Sequence, residues 1–252
     1  MKSGEARYGA LLTPQGKVLF DFFILRRADD FILDTEATQT DALIKRLSLY
    51  RLRADVAIED AAGELAAAQI FGDDVAAPPP PPAGYVFPDP RLAALGFRMI
   101  APPDAIANAG AACGAEEAAY LRRRLALGVP ESPADIIPEQ SFPLDANMDA
   151  LNAIDFRKGC FVGQEVTSRA KRRGEIRKRT LIIRYDGAPP APGTPVTAGD
   201  SILGETLSGA DNLGLAVIRT DRLAAARARG DAPEAGGRRV ELAAPDYLES
   251  DL

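Results

Sequence analysis

Four short strand-forming runs crowd the last third of the chain: residues 180–184, 202–206, 213–219 and 239–242, each bounded by Gly, Pro or Asp. Runs this short, punctuated this regularly, predict a small antiparallel barrel. The stretch 223–237, alternating alanine, arginine and glycine, reads as a mobile or partly helical insertion within it. No internal repeat is present.

The chain ahead of the barrel has a different texture. Leu11-Leu12 leads into Thr13-Pro14-Gln15-Gly16, where Pro at the second and Gly at the fourth position suit a turn, and residues 17–25 are rich in strand formers. Asp21 interrupts that apolar run. A carboxylate there either faces solvent on an alternating strand or finds a partner inside, because burying it unpaired is costly. Residues 31–33 read as the return strand. Leu43, Leu47 and Tyr50 at helical spacing predict a helix over 34–53, capped by Asp34 or Thr35. Runs at 56–58 and 65–71 supply further strands, giving a β-β-α-β-β order and an α+β lobe. Five prolines, 78–82, read as an exposed polyproline loop.

Residues 115–127 predict a helix with Glu116 and Glu117 at its start, Arg122, Arg123 and Arg124 near its end, and Gly128 as its stop. The crossing that follows, 128–148, is broken by Pro130, Pro133, Pro138 and Pro143. Its length without regular structure predicts a binding loop, and its acids Glu131, Asp135, Glu139 and Asp145 have no other explanation in the sequence.

Composition removes whole reaction classes. Histidine is absent from all 252 residues, so there is no Ser-His-Asp triad, no Cys-His dyad and no His-containing zinc site. The two cysteines, Cys113 and Cys160, are far apart and neither lies in a CxxC, so no metal or disulfide-exchange motif is present. Reduced thiols, no apolar run of membrane-spanning length and no apolar signal core predict a soluble, cytoplasmic protein without a membrane partner. The net charge of −6 disfavours nucleic acid at long range. Basic residues are nonetheless gathered at Arg169, Lys171, Arg172, Arg173, Arg177, Lys178 and Arg179, with Glu175 the only acid among them. Such a run is either a solvated face or an anion site; no aromatic residue interleaves it to stack bases, so direct nucleic-acid binding is not expected.

The basic run follows Arg157-Lys158-Gly159-Cys160-Phe161-Val162-Gly163-Gln164-Glu165. Flanking glycines permit a tight, exposed turn, and the neighbouring cations favour a thiolate. The alternative is a buried cysteine acting as a small hydrophobe. Cys113, beside an alanine-rich helix, is assigned to packing. With no resolving cysteine nearby, an independent thiol peroxidase is not supported.

The segment Lys158-Gly159-Cys160-Phe161-Val162-Gly163-Gln164-Glu165 resembles the K-G-C-[FY]-x-G-Q-E motif of the YgfZ family, folate-binding relatives of the glycine-cleavage T-protein that assist iron–sulfur protein maturation. Leu12-Thr13-Pro14-Gln15-Gly16-Lys17, Asp89-Pro90-Arg91, Leu95-Gly96-Phe97-Arg98, Gly128-Val129-Pro130 and Pro143 to Leu151 are similar to the same family, in order. The resemblance implies an α+β fold: a T-protein-like folate-binding module of ferredoxin-like α+β lobes over 1–173, then an antiparallel barrel over 174–252. Family members also carry a strand and helix with an F-L-x-G-like segment ahead of the position that Leu12 matches, and this sequence begins after that point.

The resemblance further implies tetrahydrofolate or a derivative as ligand. Asp21 falls on the T-protein aspartate beside the reactive part of the folate, and Asp145 on its pterin-holding glutamate. Lys158, Gln164, Arg169 and Arg172 join them as candidate ligand-binding residues, with Arg169 and Arg172 suited to the folate tail. Cys160 and Asp21 are the candidate reactive groups. One thiol cannot hold an iron–sulfur cluster alone, so any cluster is transient or shared. The function implied is that of a folate-binding accessory in iron–sulfur cluster assembly or repair, partnered by assembly machinery or client enzymes, including tRNA-modifying ones. An aminomethyltransferase-like one-carbon transferase is the alternative; the T-protein needs no thiol at this motif.

Overall fold

The computed structural model describes residues 1–73, 75–113, 116–172 and 176–248; of Ala111, Ala112, Cys113, Ala170 and Arg172 only the backbone is described. Two compact units emerge: Met1–Ala10 with Phe20–Glu116, and Leu11–Leu19 with Glu117–Leu252. The 116/117 boundary subdivides the module expected over 1–173, so the second unit joins that module's C-terminal part to the barrel.

Strands β1 (Ala6–Leu12), β2 (Val18–Arg26) and β3 (Phe31–Asp34) form an ordered sheet β1-β2-β3. The turn between β1 and β2 closes as its sequence dictates: Gly16 N–H donates to the Thr13 carbonyl at 2.9 Å, with Gly16 at φ +79°. Helix α1 (Thr40–Arg51) starts later than the sequence predicts, behind a short 3₁₀ turn. Neither proposed cap serves it. Asp34 pairs with Arg98, and the Thr35 hydroxyl donates to the Asp21 carbonyl at 3.0 Å.

The expected strand at 56–58 is not formed. Strand β4 (Ala66–Ile70) instead joins β5 (Tyr85–Pro88) and β6 (Phe97–Ala101) in the order β4-β6-β5. Both β5 and β6 escaped the sequence reading, being short and separated by turn residues rather than alternating cleanly. Gly96 shows why β6 is held so tightly: a Cβ there would stand 2.2 Å from the Ile70 carbonyl oxygen. Leu25, Phe87 and Ile100 are buried together where the two sheets of the first unit meet. Helix α2 (Pro103–Cys113) was also not anticipated.

In the second unit, α3 (Glu117–Ala126) matches the predicted helix, but Arg124 does not serve it as an exposed terminal charge. It is buried and donates to Asp135 at 2.6 Å and to the Val129 carbonyl at 2.7 Å. The 128–148 crossing is therefore no free loop. Val129, Ile136, Leu144 and Met148 are core residues, and Asp135 and Glu131 are consumed by Arg124. Its irregular backbone is satisfied locally and by β2, with Val18 N–H donating to the Ser141 carbonyl and Glu139 N–H to the Val18 carbonyl.

Helix α4 (Gln164–Arg172) leads to the barrel: β7 (Lys178–Tyr185), β8 (Pro195–Ala198), β9 (Ser201–Ala210), β10 (Leu213–Arg219), α5 (Thr220–Arg229), β11 (Pro233–Ala235) and β12 (Arg238–Ala243). The six strands close in the order β10-β7-β12-β11-β8-β9. The supposed mobile insertion is α5 followed by strand β11, and Leu223 and Ala226 of α5 enter the barrel core with Ile183, Leu203 and Ile218. A closed barrel needs a cover at its open end, and the alanine-rich sequence forms the helix that supplies it.

Candidate functional site

The cysteine segment leaves the core at Leu151 and crosses the surface as a chain of turns before α4 begins. Arg157 N–H donates to Asp155 Oδ1 at 2.8 Å, an Asx turn that sets the approach. Gly159 follows at φ +95° with open space around it, and Cys160 is exposed and free. Phe161 N–H then donates to Gln164 Oε1 at 3.1 Å, so the first side chain of α4 reaches back to hold the turn.

What fixes this turn is Gly163. At φ +80° it takes a conformation costly to other residues, and a Cβ on it would stand 2.8 Å from both the Gly16 Cα and the Thr13 carbonyl oxygen. The reciprocal holds: a Cβ on Gly16 would stand 3.0 Å from the Val166 Cβ and 3.2 Å from the Gly163 carbonyl oxygen. Two sequence segments remote from one another thus meet glycine to glycine, and the thiol projects from the docked turn. Burial as a small hydrophobe is ruled out for Cys160.

Beside the thiol lies a cavity of about 640 Å³ walled by the loop and by one face of α4. Arg157 comes from the loop, and Gln164, Glu165, Ser168 and Arg169 from the helix. Arg169 is exposed and has no ion pair among the described residues; the Arg157 guanidinium only grazes Asp155 at 3.9 Å. Lys158 is exposed, with its ammonium 5.4 Å from the centre of the Phe161 ring. The site offers one soft nucleophile among cations. Among the described residues no group of three His, Cys, Asp or Glu side chains could hold a metal ion.

The basic run behind the thiol divides on inspection. Arg179 is buried against Asp149, which also takes Lys171 at 3.0 Å, and Arg179 donates to the Leu144 carbonyl at 3.0 Å as well. These two cations tie α4 and β7 to the 143–151 segment and are structural. Arg177 and Lys178 are exposed. Arg173 and Glu175 lie outside the described residues, as do the side chains of Arg172 and Cys113.

Asp145 is different from its neighbour Asp149. Its carboxylate is partly buried and has no hydrogen bond or ion pair among the described residues. Burial, only partly offset by the attraction of Lys178 and Arg179, pushes it up to about 6. An acceptor pair half withdrawn from water and left unsatisfied is suited to a ligand bearing adjacent N–H donors.

Asp21 belongs to the first unit, all the other candidate residues to the second. It has a partner: Tyr8 on the neighbouring strand donates its hydroxyl to Oδ2 at 2.7 Å. Around it the Asp89-Pro90-Arg91 and Leu95-Gly96-Phe97-Arg98 segments acquire a structural explanation. Arg91 and Asp89 form a buried ion pair at 2.8 Å. The Arg91 and Arg98 guanidiniums lie 4.9 and 4.2 Å from the centre of the Phe23 ring, and Gln69 donates to Asp89 at 3.3 Å. Sequence reasoning missed Tyr8 and Asp149. Nothing local marks either one, since each is defined by a partner more than ten residues away.

Residues 177–250 match the CAF17 C-terminal beta-barrel domain. The chain is 34% identical over 245 residues to the iron–sulfur cluster assembly factor IBA57 homolog, mitochondrial, of Pyricularia oryzae, covering 85% of this chain and 62% of that protein. It is 29% identical over 240 residues to mouse IBA57 and 28% identical over 242 residues to human IBA57, covering 88% of this chain and 67% of each of them. The chain thus spans about two thirds of the length of these relatives. Its backbone is similar to the glycine cleavage system aminomethyltransferase T of Bartonella henselae, with a TM-score of 0.65 and 17% identity over 99% of this chain and 77% of that one. The α+β fold with a C-terminal barrel is therefore that of the T-protein. One expectation is corrected: the relatives are named mitochondrial proteins, which points away from the cytoplasm.

Proposed function

We propose that this chain, similar over most of its length to IBA57-type assembly factors and ending in a CAF17-type barrel, acts as an accessory factor in iron–sulfur cluster assembly. Cys160 is its single cluster-contacting thiolate, and the cluster is cargo shared with an assembly protein or a client enzyme, tRNA-modifying enzymes included. The observation that carries this reading is the free thiol held out at the rim of a cation-walled cavity by the Gly16–Gly163 contact. A purely structural cysteine would not be presented in this way.

Reduced folate is the small ligand of the proposal. The fit rests on Asp145, whose unpartnered carboxylate can accept the paired N–H donors of a pterin. Asp21, in the first unit, is a separate candidate carboxylate for one-carbon chemistry, its Oδ2 accepting from the Tyr8 hydroxyl. The folate, when bound, would supply one-carbon chemistry or serve as a binding signal. An aminomethyl transfer reading draws on the fold and on Asp21, but leaves the exposed thiol without a task.

Two experiments separate these parts. Cys160→Ala should abolish support of iron–sulfur enzymes in cells lacking the protein, while calorimetry with tetrahydrofolate gives the same affinity as the unaltered chain. Full support by the alanine variant would refute the thiol role. Asp145→Ala should weaken tetrahydrofolate binding by about tenfold, and an unchanged affinity would remove Asp145 from the folate site.

A further inference from the structure

We propose that the cavity beside Cys160 is a binding site for γ-glutamyl compounds, the class of small molecule that carries several carboxylates along a flexible γ-amide stem. Its volume of about 640 Å³ suits a tripeptide-sized ligand. The wall carries two cations and one acid: Arg157, Arg169 and Glu165. A γ-glutamyl stem presents carboxylates to the two guanidiniums and, where its terminal α-nitrogen is unacylated, an α-ammonium to Glu165. Guanidinium and carboxylate match as planar, two-pronged partners. The Gln164 amide has its oxygen engaged by Phe161 N–H, which leaves its NH₂ to donate, and the Ser168 hydroxyl can serve either way. Phe156 and Phe161 offer apolar cover to the stem.

Glutathione carries this full set; the polyglutamate tail of a folate shares the carboxylates and the γ-amide stem, but its α-nitrogens are all acylated and it has no ammonium to offer Glu165. For the first, position has a chemical consequence, because a bound glutathione disulfide would bring its sulfur atoms to Cys160. The Cys160 thiolate attacks one sulfur, the S–S bond of glutathione disulfide breaks, a protein–glutathione disulfide forms, and one glutathione leaves as its thiolate. The co-reactant is the disulfide itself, and the thiol proton goes to solvent.

The test uses the full chain, free of iron, and follows mixed-disulfide formation at Cys160 by mass spectrometry with peptide mapping. Glutathione disulfide should react about tenfold faster than uncharged bis(hydroxyethyl) disulfide, the preference expected of two charge-assisted contacts in a partly open site. The double variant Arg157→Ala, Arg169→Ala should lose that preference, the ratio of the two rates falling to about one whatever common slowing follows from removing cations beside the thiol. Lys178→Ala, a cation outside the cavity, should keep it. Slowing of both reactions by S-methylglutathione identifies the small thiol as occupant; slowing by a pteroyltriglutamate beyond that by the monoglutamate identifies the folate tail. Equal rates for the two disulfides with no protection by either compound would overturn the proposal, as would a preference that survives in the double variant. None of these readouts involves a cluster, so their failure leaves the assembly function untouched.

Discussion

Arg179 donates to both oxygens of Asp149, at 2.6 and 3.1 Å, where the two side chains are only 2% and 1% exposed. The guanidinium holds the Asp149 carboxyl below the usual carboxylate range despite its burial, aided by Lys171. Removing one partner of such a pair leaves the other charge buried and alone. Asp149→Ala should therefore destabilise the chain by about 3–5 kcal/mol, read as a lowered midpoint in urea unfolding. Replacing both residues, Asp149→Leu with Arg179→Met, should cost markedly less than the single change. A double variant no more stable than Asp149→Ala would mean the pair is not the centre of this contact.

The glycines of the cysteine motif have separable roles. Gly163→Ala meets both an unfavourable φ and a clash with backbone at Gly16 and Thr13, so it should cost about 2–4 kcal/mol and alter the rate at which iodoacetamide labels Cys160. Gly159→Ala meets open space and carries the backbone term alone, about 1–2 kcal/mol. Equal melting temperatures for the two variants would show that the Gly16–Gly163 approach does not hold the loop.

Asp145 makes stability depend on pH in a stated direction. Its native value is raised from the ordinary 3.8 to about 6, so the native state holds the proton more tightly than the unfolded chain. The favourable contribution is complete below about pH 4 and is lost as the pH rises to about 6. Asp145→Asn should flatten this part of the pH–stability profile and raise stability at neutral pH, by on the order of 1–2 kcal/mol. Folate affinity should move oppositely, weakening below pH 6 as the acceptor becomes protonated. Parallel profiles for the variant and the unaltered chain would show that Asp145 does not titrate there.

The barrel was legible because its strands are short, well punctuated and mostly local in pairing: β9 pairs with β8 on one side and β10 on the other, its neighbours in sequence. The exposure of Cys160 was legible for a similar reason, since glycines and charges flank it directly. What could not be read lies in long-range pairing. Arg124 looks like an ordinary helix-terminal charge until Asp135 is seen against it, and the proline-rich crossing looks like a loop until Ile136 and Met148 are found in the core. Proline and acid content marks irregular backbone, and irregular backbone is usually, but not here, exposed. The basic run misled in the same way, because Arg179 and Arg169 are alike in sequence and differ only in whether an aspartate faces them.

Tyr8 and Asp21 provide the last test, inside the first unit. The Tyr8 side chain is buried and its hydroxyl reaches a partly buried carboxylate, so Tyr8→Phe removes one hydrogen bond without opening a cavity. A bond to a charged acceptor contributes about 1.5–3 kcal/mol, and the loss should appear in full as reduced unfolding free energy at neutral pH. Asp21→Asn in the Tyr8→Phe background should then cost little more than Tyr8→Phe alone, since the two changes act on one bond. Strict additivity of the two variants would show that the hydroxyl does not hold the carboxylate in solution, and that Asp21 is free to turn toward a ligand unaided.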